Sequence, residues 1–155
     1  MADTARKGIP KVRIRREVYQ KIKKLAREGL PCEICGYLAS ERAAFRSGSF
    51  APLIEVTAIF PLRNVDESPE HYRFDPAEQF EAFREAGKQG KKLIGTYHSH
   101  PATPSRMSEE DIRLAEDQKM IYGIFDVQGD ILNFFTVKKR ENDTRQVQRL
   151  ISELS

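Results

Sequence analysis

The sequence predicts an α/β (α+β) fold in which a mixed central β-sheet is flanked by helices. Short apolar runs of strand length recur along the chain, and stretches with helical spacing separate them. Late in the chain, two apolar runs are joined by Gln128-Gly129-Asp130, a short turn typical of an antiparallel hairpin. A chain of 155 residues can bury about two-thirds of its unfolded surface as one domain. We therefore expect a single domain over residues 1–155, with residues 1–10 and 140–155 frayed or peripheral.

The first half of the chain contains one clear helix signal. Apolar side chains recur at helical spacing from Arg16 to Arg27, Gly29 is a typical helix end, and Pro31 prevents continuation. Apolar runs on either side of this helix predict strands, and polar residues separate those runs. The predicted strands cover residues 12–14, 32–39 and 53–60, with a hairpin loop at residues 42–49 and Pro61 as the end of the third strand.

The second half of the chain predicts further helices and strands. Asp75 is a good N-cap residue and is followed by Pro76, so a helix should begin there and reach about Gln89. The remaining predicted elements are a polar loop at residues 63–70, a short strand at 71–74, strands at 92–97, 120–127 and 131–137, a helix at 108–117, and a small terminal helix carrying Val147, Leu150 and Ile151.

The charge balance and the absence of long apolar runs restrict the class of protein. There are 26 basic and 23 acidic residues, and a formal net charge of +3 is too small to favour nucleic acid as a partner. This small positive net charge would suit an acidic protein partner slightly better than a basic one. The sequence has no apolar run of signal-peptide or membrane-spanning length. We therefore expect a cytoplasmic protein that binds neither nucleic acid nor membrane, with its oligomeric state left open.

Two histidines at the end of a predicted strand have the spacing of metal ligands. His98 and His100 are two residues apart, so in an extended strand their imidazoles project from the same side. Ser108 is predicted to begin a helix, and the first turn of this helix would bring Asp111 back towards the two histidines. Two imidazoles and one carboxylate suit a catalytic zinc, which keeps its fourth position for water. The same residues would also fit a polar strand end beside a plain helix cap, and both readings stay open at this point.

Glu33 is the unexpected residue of the predicted strand at residues 32–39. A carboxylate among apolar and small residues is costly to bury unless it is paired, hydrogen-bonded or close to a cation. His71, the only other histidine, has no partner at metal spacing and is expected on the surface or in a substrate groove.

The neighbouring Cys32 and Cys35 form a Cys-x-x-Cys motif that has three readings. A zinc knuckle needs a second ligand pair, and the chain has no other cysteine. A thioredoxin-like pair should follow a strand and open a helix, whereas here a helix precedes the motif. Small, buried packing cysteines are the favoured reading. If Glu33 lies beside a metal, Cys32 would also be near it, where oxidation or inhibitory ligation could affect the site.

Taken together, these separate elements resemble the signature of the JAMM (MPN+) metalloprotease family. The elements are Glu33 in Glu-x-Cys-Gly, His98-x-His100-Pro101, and Ser108-x-x-Asp111, with ten residues between His100 and Asp111. The stretch Tyr72-Arg73-Phe74-Asp75-Pro76 before a helix and the closing hairpin are similar to the small prokaryotic members. Ser105, another hydroxyl of the loop, fails the Ser-x-x-Asp register. The resemblance implies a cytidine deaminase-like fold.

The resemblance also implies a role for each residue. His98, His100 and Asp111 would bind one Zn²⁺ per chain, Glu33 would be the catalytic acid/base, and Ser108 would support the oxyanion. This agrees with the chemistry, because zinc lowers the pKa of its bound water to about 7 and a carboxylate can then take the water's proton. The same glutamic acid can later give that proton to the leaving amine.

The family resemblance further implies a substrate class. It predicts hydrolysis of an amide or isopeptide bond after the C-terminal Gly-Gly of a ubiquitin-like or sulfur-carrier protein. The chain has no room for the long insertions with which eukaryotic relatives hold polyubiquitin, which favours a sulfur carrier. A non-catalytic MPN-type scaffold that binds a ubiquitin-like partner is the alternative, and a Cys32–Cys35 oxidoreductase is a third hypothesis.

Overall fold

The computed structural model describes residues 9–155. Residues 1–8, most of the segment expected to be frayed at the N-terminus, lie outside this part of the chain. Within residues 9–155 the chain forms an eight-stranded sheet, a separate two-stranded hairpin and three α-helices. In chain order the elements are β1 (Lys11–Ile14), α1 (Arg16–Glu28), β2 (Cys35–Ser40), β3 (Phe45–Arg46), β4 (Ser49–Phe50), β5 (Leu53–Val56), β6 (Ala58–Leu62), α2 (Pro76–Lys88), β7 (Lys92–His100), α3 (Glu109–Leu114), β8 (Ile121–Asp126), β9 (Ile131–Lys139) and β10 (Arg145–Leu154).

The large sheet is mixed and curls strongly. Its strand order is β5-β1-β10-β9-β8-β7-β2-β6, in which the β5–β1, β1–β10 and β7–β8 pairs are parallel and the other pairs are antiparallel. The two edge strands, β5 and β6, are consecutive in the chain and only Thr57 separates them. The sheet must therefore curl until the end of β5 reaches the start of β6 at Thr57, whose N–H donates to the Ala39 carbonyl (2.9 Å). The mixed sheet with helices confirms the predicted fold class.

Helix α1 fills the concave face of this sheet. Val18, Ile22 and Ala26 recur every four residues, so one stripe of the helix is apolar and all three side chains are buried. They belong to the largest apolar cluster, which includes Tyr97 and Phe125 of the sheet. Burying an aliphatic side chain of this size contributes about 1.5–3 kcal/mol, so this helix is a major part of the core.

Helices α2 and α3 lie on the opposite face. The Asp75 side chain accepts from the Ala77 N–H (3.0 Å) and Pro76 opens α2, as the sequence predicts. Ala82 of α2 is buried against Tyr37 of β2. No helix of the described residues is long and apolar enough to span a membrane.

The predicted terminal helix is wrong. Residues Arg145–Leu154 form β10, which lies inside the sheet between β1 and β9, so most of the segment expected to be peripheral is part of the fold. Leu150 is buried in the main core whereas Ile151 is 70% exposed, which is the alternation of a strand. Pairing with β1, about 140 residues away in the chain, leaves no signal in the local pattern.

Other element boundaries also differ from the prediction. The strand expected at 53–60 divides at Thr57 into β5 and β6, and Pro61 lies within β6, where an edge strand tolerates a missing N–H. Strand β2 begins only at Cys35, so Glu33 precedes it. The predicted loop at 42–49 contains most of a short hairpin, β3–β4, which ends at Phe50. A single bridge from Asn64 to Phe74 replaces the strand expected at 71–74. The strand expected at 92–97 extends to His100, and the helix expected at 108–117 is shortened to Glu109–Leu114.

Candidate metal centre

The two histidines lie at the end of an interior strand. Strand β7 pairs with β2 on one side and β8 on the other, so the backbone at His98 and His100 is held by neighbours on both sides. Both side chains are buried, with 3% and 5% exposure. Their Nε2 atoms lie 3.2 Å apart, as expected for two residues on the same face of a strand.

The carboxylate of Asp111 reaches the histidines from the first turn of α3. A capping box holds it there: the Ser108 hydroxyl oxygen accepts from the Asp111 N–H (3.0 Å), and Asp111 Oδ2 accepts from the Ser108 N–H (3.0 Å). Asp111 Oδ1 lies 3.2 Å from His98 Nε2, and Oδ2 lies 3.1 Å from His100 Nε2. The cap that begins the helix therefore also fixes the third member of the cluster.

The three side chains fit a zinc ion. The two Nε2 atoms lie 3.2 Å apart, and each lies 3.1–3.2 Å from one oxygen of the Asp111 carboxylate. Two ligands at zinc-binding distance with a tetrahedral angle between them lie about 3.3 Å apart, which is close to each of these three separations. Two imidazoles and one carboxylate also match the ligand set of catalytic zinc sites, which leave one position open. Among residues 9–155, this is the one group of three or more His, Cys, Asp or Glu side chains with metal-binding proximity.

Neighbouring groups orient both imidazoles. His100 Nδ1 lies 2.8 Å from the Pro104 carbonyl oxygen, which can only accept, so Nδ1 carries a proton and points away from the cluster. The lone pair of a neutral His100 is then on Nε2, facing His98 and Asp111. The ring of Tyr72 stacks on the His98 imidazole, with ring centroids 4.5 Å apart and planes 26° apart.

The protonation tendencies of the cluster agree with metal binding. Burial lowers the pKa of His98, which favours its neutral form. Burial opposes ionisation of Asp111, but hydrogen bonds from both histidines outweigh it and hold the pKa of that carboxyl well below its usual range. Burial also lowers the pKa of His100, yet its bonds to Asp111 and the Pro104 carbonyl outweigh this and the pKa is raised. A metal would displace a proton from His100.

Glu33 is held beside this cluster by the strand that carries the histidines. Ile34 donates its N–H to the Ser99 hydroxyl (2.8 Å), and Ser99 donates its N–H to the Ile34 carbonyl (3.0 Å). Extending the antiparallel register of β2 and β7 by two residues places Glu33 opposite His100, on the same face of the sheet. The segment before β2 is therefore fixed to β7 at the residue between the two histidines.

The environment of Glu33 favours exchange of a proton near neutral pH. The side chain is only 6% exposed, and burial raises its pKa to about 8, against a smaller opposing effect of His100. Its backbone is fixed as well, because the N–H donates to the Ser68 carbonyl (2.9 Å) and the carbonyl accepts from the Asn64 side chain (3.0 Å).

Ser99 and Asn64 are positioning residues that the sequence reasoning missed. Ser99 is fully buried, and its place between two histidines was the available signal. The Asn64 side chain donates to the carbonyls of Glu33 and His71 and accepts from the N–H groups of Asp66 and Arg73. Nothing in the local sequence around Asn64 distinguishes it from other loop residues.

Two other residues considered in the sequence, Ser105 and His71, have well-defined surroundings. Ser105 is buried, donates to the Ile124 carbonyl (2.6 Å) and accepts from the Asn133 N–H (3.2 Å), so its hydroxyl is committed to the fold. His71 is exposed, and its Nδ1 lies 2.8 Å from the Glu110 carboxylate, which ties the loop before α2 to α3.

The two cysteines are both free thiols. Cys35 is buried beside Leu62, and burial raises its pKa to about 12. A thiol with so high a pKa forms little thiolate at neutral pH, which argues against the oxidoreductase hypothesis. Cys32 is half-buried and is not part of the metal-ligand cluster of the described residues.

The chain is similar in sequence to a known protein family and to characterised relatives. The family model for prokaryotic homologs of the JAB domain matches residues 15–138. The CysO-cysteine peptidase of Mycobacterium tuberculosis is 33% identical over 97 residues, which is 63% of this chain and 60% of that relative. The probable TtuB-protein conjugate cleaving protease of Thermus thermophilus is 34% identical over 102 residues, 65% of this chain and 68% of the relative. The chain thus matches about 60% of the length of the mycobacterial peptidase.

A solved structure extends the similarity across almost the whole chain. A protein of Desulfitobacterium hafniense, known from its solution structure, superposes with a TM-score of 0.74 at 33% sequence identity. The match covers 93% of this chain and 92% of that protein.

Proposed function

This chain belongs to the family of prokaryotic homologs of the JAB domain, and on that premise we propose that it is a zinc-dependent peptidase. Its proposed reaction is hydrolysis of the amide or isopeptide bond after the C-terminal Gly-Gly of a ubiquitin-like or sulfur-carrier protein. One observation carries the proposal: the ligand atoms of His98, His100 and Asp111 converge at separations that suit zinc, with the buried Glu33 on the same face of the sheet.

In the proposed mechanism, His98 Nε2, His100 Nε2 and the Asp111 carboxylate hold the metal. When bound, a zinc ion polarises the scissile carbonyl and makes water a usable nucleophile at neutral pH. The Glu33 carboxylate accepts a proton from the attacking water and passes it to the leaving amine. A pKa raised by burial to about 8 in the metal-free chain makes both proton transfers accessible near neutral pH.

The proposed role of Ser108 is to stabilise the oxygen that becomes negative as the carbonyl is attacked. The capping bond uses a lone pair of the Ser108 hydroxyl oxygen, because Asp111 N–H is the donor. The hydroxyl proton therefore remains available for a substrate oxygen. Capping the helix and supporting the oxyanion are compatible functions of one side chain, and losing such a donor costs about 10²–10³ in kcat in other hydrolases.

The proposed substrate class rests on the relatives and on an open sheet edge. The names of the two relatives specify a conjugate of CysO with cysteine and conjugates of TtuB with proteins. We infer that the substrate here is likewise a small carrier joined through its C-terminus. A tail of two glycines can lie extended in a narrow groove, and β6 is an edge strand beside β2 whose outer backbone groups can pair with it.

Cleavage of defined conjugates tests this proposal. A small carrier ending in Gly-Gly would be joined either to cysteine or to the side chain of a lysine peptide, and products would be identified by mass spectrometry. We expect cleavage after the second glycine by the zinc-loaded chain, and none by Glu33→Gln. If the zinc-loaded chain binds the carrier and cleaves neither conjugate, the scaffold alternative replaces the peptidase.

A further inference from the structure

A cavity opens on the face of the sheet opposite the metal centre. It has a volume of about 720 Å³ and lies between the β3–β4 hairpin and the adjacent ends of β9 and β10. Three consecutive residues of β9, Thr136, Val137 and Lys138, line the cavity. The Val137 side chain packs on the α3 side, so the side chains of Thr136 and Lys138 project to the other face. The volume is within the range of small-molecule sites.

The charges that line this cavity have one sign. Lys119, Lys138 and Arg140 contribute basic groups, and no Asp or Glu of residues 9–155 is among the lining residues. This is not a consequence of composition, because the chain has 23 acidic residues against 26 basic ones. None of the three cations has a carboxylate within ion-pair distance in the described part of the chain, whereas the adjacent Lys139 pairs with Glu116 (2.7 Å). A cleft with charges of one sign concentrates the electric potential inside it.

Aromatic rings and glutamine amides also line the cavity. Phe45 packs edge-to-face on Phe50 with ring centroids 5.0 Å apart, and the Lys119 ammonium lies 5.9 Å from the centre of the Phe45 ring. The Arg140 guanidinium donates to the Gln146 side-chain oxygen, which holds it at the rim. The cavity thus combines positive charge, an apolar aromatic wall and amide groups that both donate and accept.

We propose that this cavity is a binding site for a phosphorylated small molecule with a flat, uncharged part, the chemistry of a nucleotide. Arginine and lysine are the side chains that bind phosphate oxygens, and a guanidinium can do so through two parallel hydrogen bonds. The aromatic wall formed by Phe45 would contact the flat part, and the glutamine amides would bond its polar edge. The site is separate from the metal centre, so it does not depend on the peptidase activity.

Calorimetric titration of the full chain with ADP tests the site, with pyrophosphate and adenosine as its two halves. We expect one ADP per chain, bound more tightly than either half. Lys138→Gln and Arg140→Gln should each weaken ADP about tenfold or more, since each removes a charge-assisted contact. Lys139→Gln is the matched control: it removes the same charge from the next residue, but on the α3 side, and should change the affinity less than about twofold.

Amide chemical shifts locate the binding. ADP should perturb the N–H signals of Phe45, Thr136 and Gln146 and leave those of His98 and Asp111 in place. Absence of saturable ADP binding at millimolar concentration overturns the proposal, as do shifts centred on the histidines. Equal weakening by Lys138→Gln and Lys139→Gln would mean general charge attraction in place of a site. Pyrophosphate binding as tightly as ADP would exclude recognition of the flat part.

Discussion

At the scale of single residues, Glu33 is explained best by its position beside the proposed metal ligands. A carboxylate that is 6% exposed would destabilise the fold if it had to remain charged without a compensating group. The burial and the raised pKa are thus properties expected of a general base near a cation. The sequence indicated the buried carboxylate, but placed it in a strand that begins two residues later.

Glu33→Gln should abolish hydrolysis and keep the metal. The amide has the size of the carboxylate but cannot accept a proton, so we expect kcat to fall by at least about 10²–10⁴-fold. Zinc affinity should stay close to that of the wild type, as measured by titration against a coloured chelator. Loss of zinc in this variant would make Glu33 a ligand, and retention of most activity would place the base elsewhere.

Glu33 also gives the metal-free protein a specific pH dependence. With the folded pKa raised to about 8 from 4.5, the folded state binds one more proton than the unfolded state between these values. Stability from this group therefore falls as pH rises through that interval. In chelator, Glu33→Gln should be more stable than the wild type at pH 8, and this advantage should vanish near pH 4.5. Urea unfolding at both pH values measures it, and an advantage independent of pH would contradict it.

Ser108 can be tested by two substitutions that separate its two roles. Ser108→Ala removes cap and donor, so it should cost about 0.5–2 kcal/mol of stability and reduce kcat by about 10²–10³. Ser108→Asp keeps a helix cap but puts a negative charge where the oxyanion forms. We expect it to melt close to the wild-type temperature and to be nearly inactive. Substantial activity of the zinc-loaded aspartate variant would leave Ser108 as a cap alone.

At the scale of elements, local signals predicted the helices better than the strand partners. Capping residues and apolar periodicity are short-range features, and they identify α1 and the start of α2 within a residue or two. The division at Thr57 and the course of β6 through Pro61 depend on which strands lie alongside, which the sequence does not record locally.

Two neighbouring residues of β10 can test whether this segment is a strand, as the structure shows, or the helix that the sequence predicted. Leu150 is 3% exposed and Ile151 is 70% exposed, although the helical interpretation would bury both on one side. Leu150→Ala should therefore cost about 2–5 kcal/mol in urea unfolding, and Ile151→Ala less than about 0.5 kcal/mol. Similar losses from the two substitutions would contradict a strand at this position.

At the scale of the whole molecule, the fold brings three distant segments to one face of a curled sheet. The segment before β2 supplies Glu33, β7 supplies two histidines, and α3 supplies Asp111. Their spacing and residue types allowed the sequence to predict one site, because these groups carry chemistry that few other residues can provide. The supporting bonds of Ser99 and Asn64 could not be predicted, since they depend on how separate loops meet.

Zinc binding to the purified chain tests the central claim most directly. Competition titration should give about one tightly bound zinc per chain. His98→Ala, His100→Ala and Asp111→Ala should each lower the affinity by more than the roughly 10- to 100-fold typical of changes outside the ligand set. His71→Ala, which alters an exposed histidine, should bind zinc like the wild type. An empty wild-type chain, or undiminished zinc affinity in His98→Ala, would contradict the assignment of the metal centre.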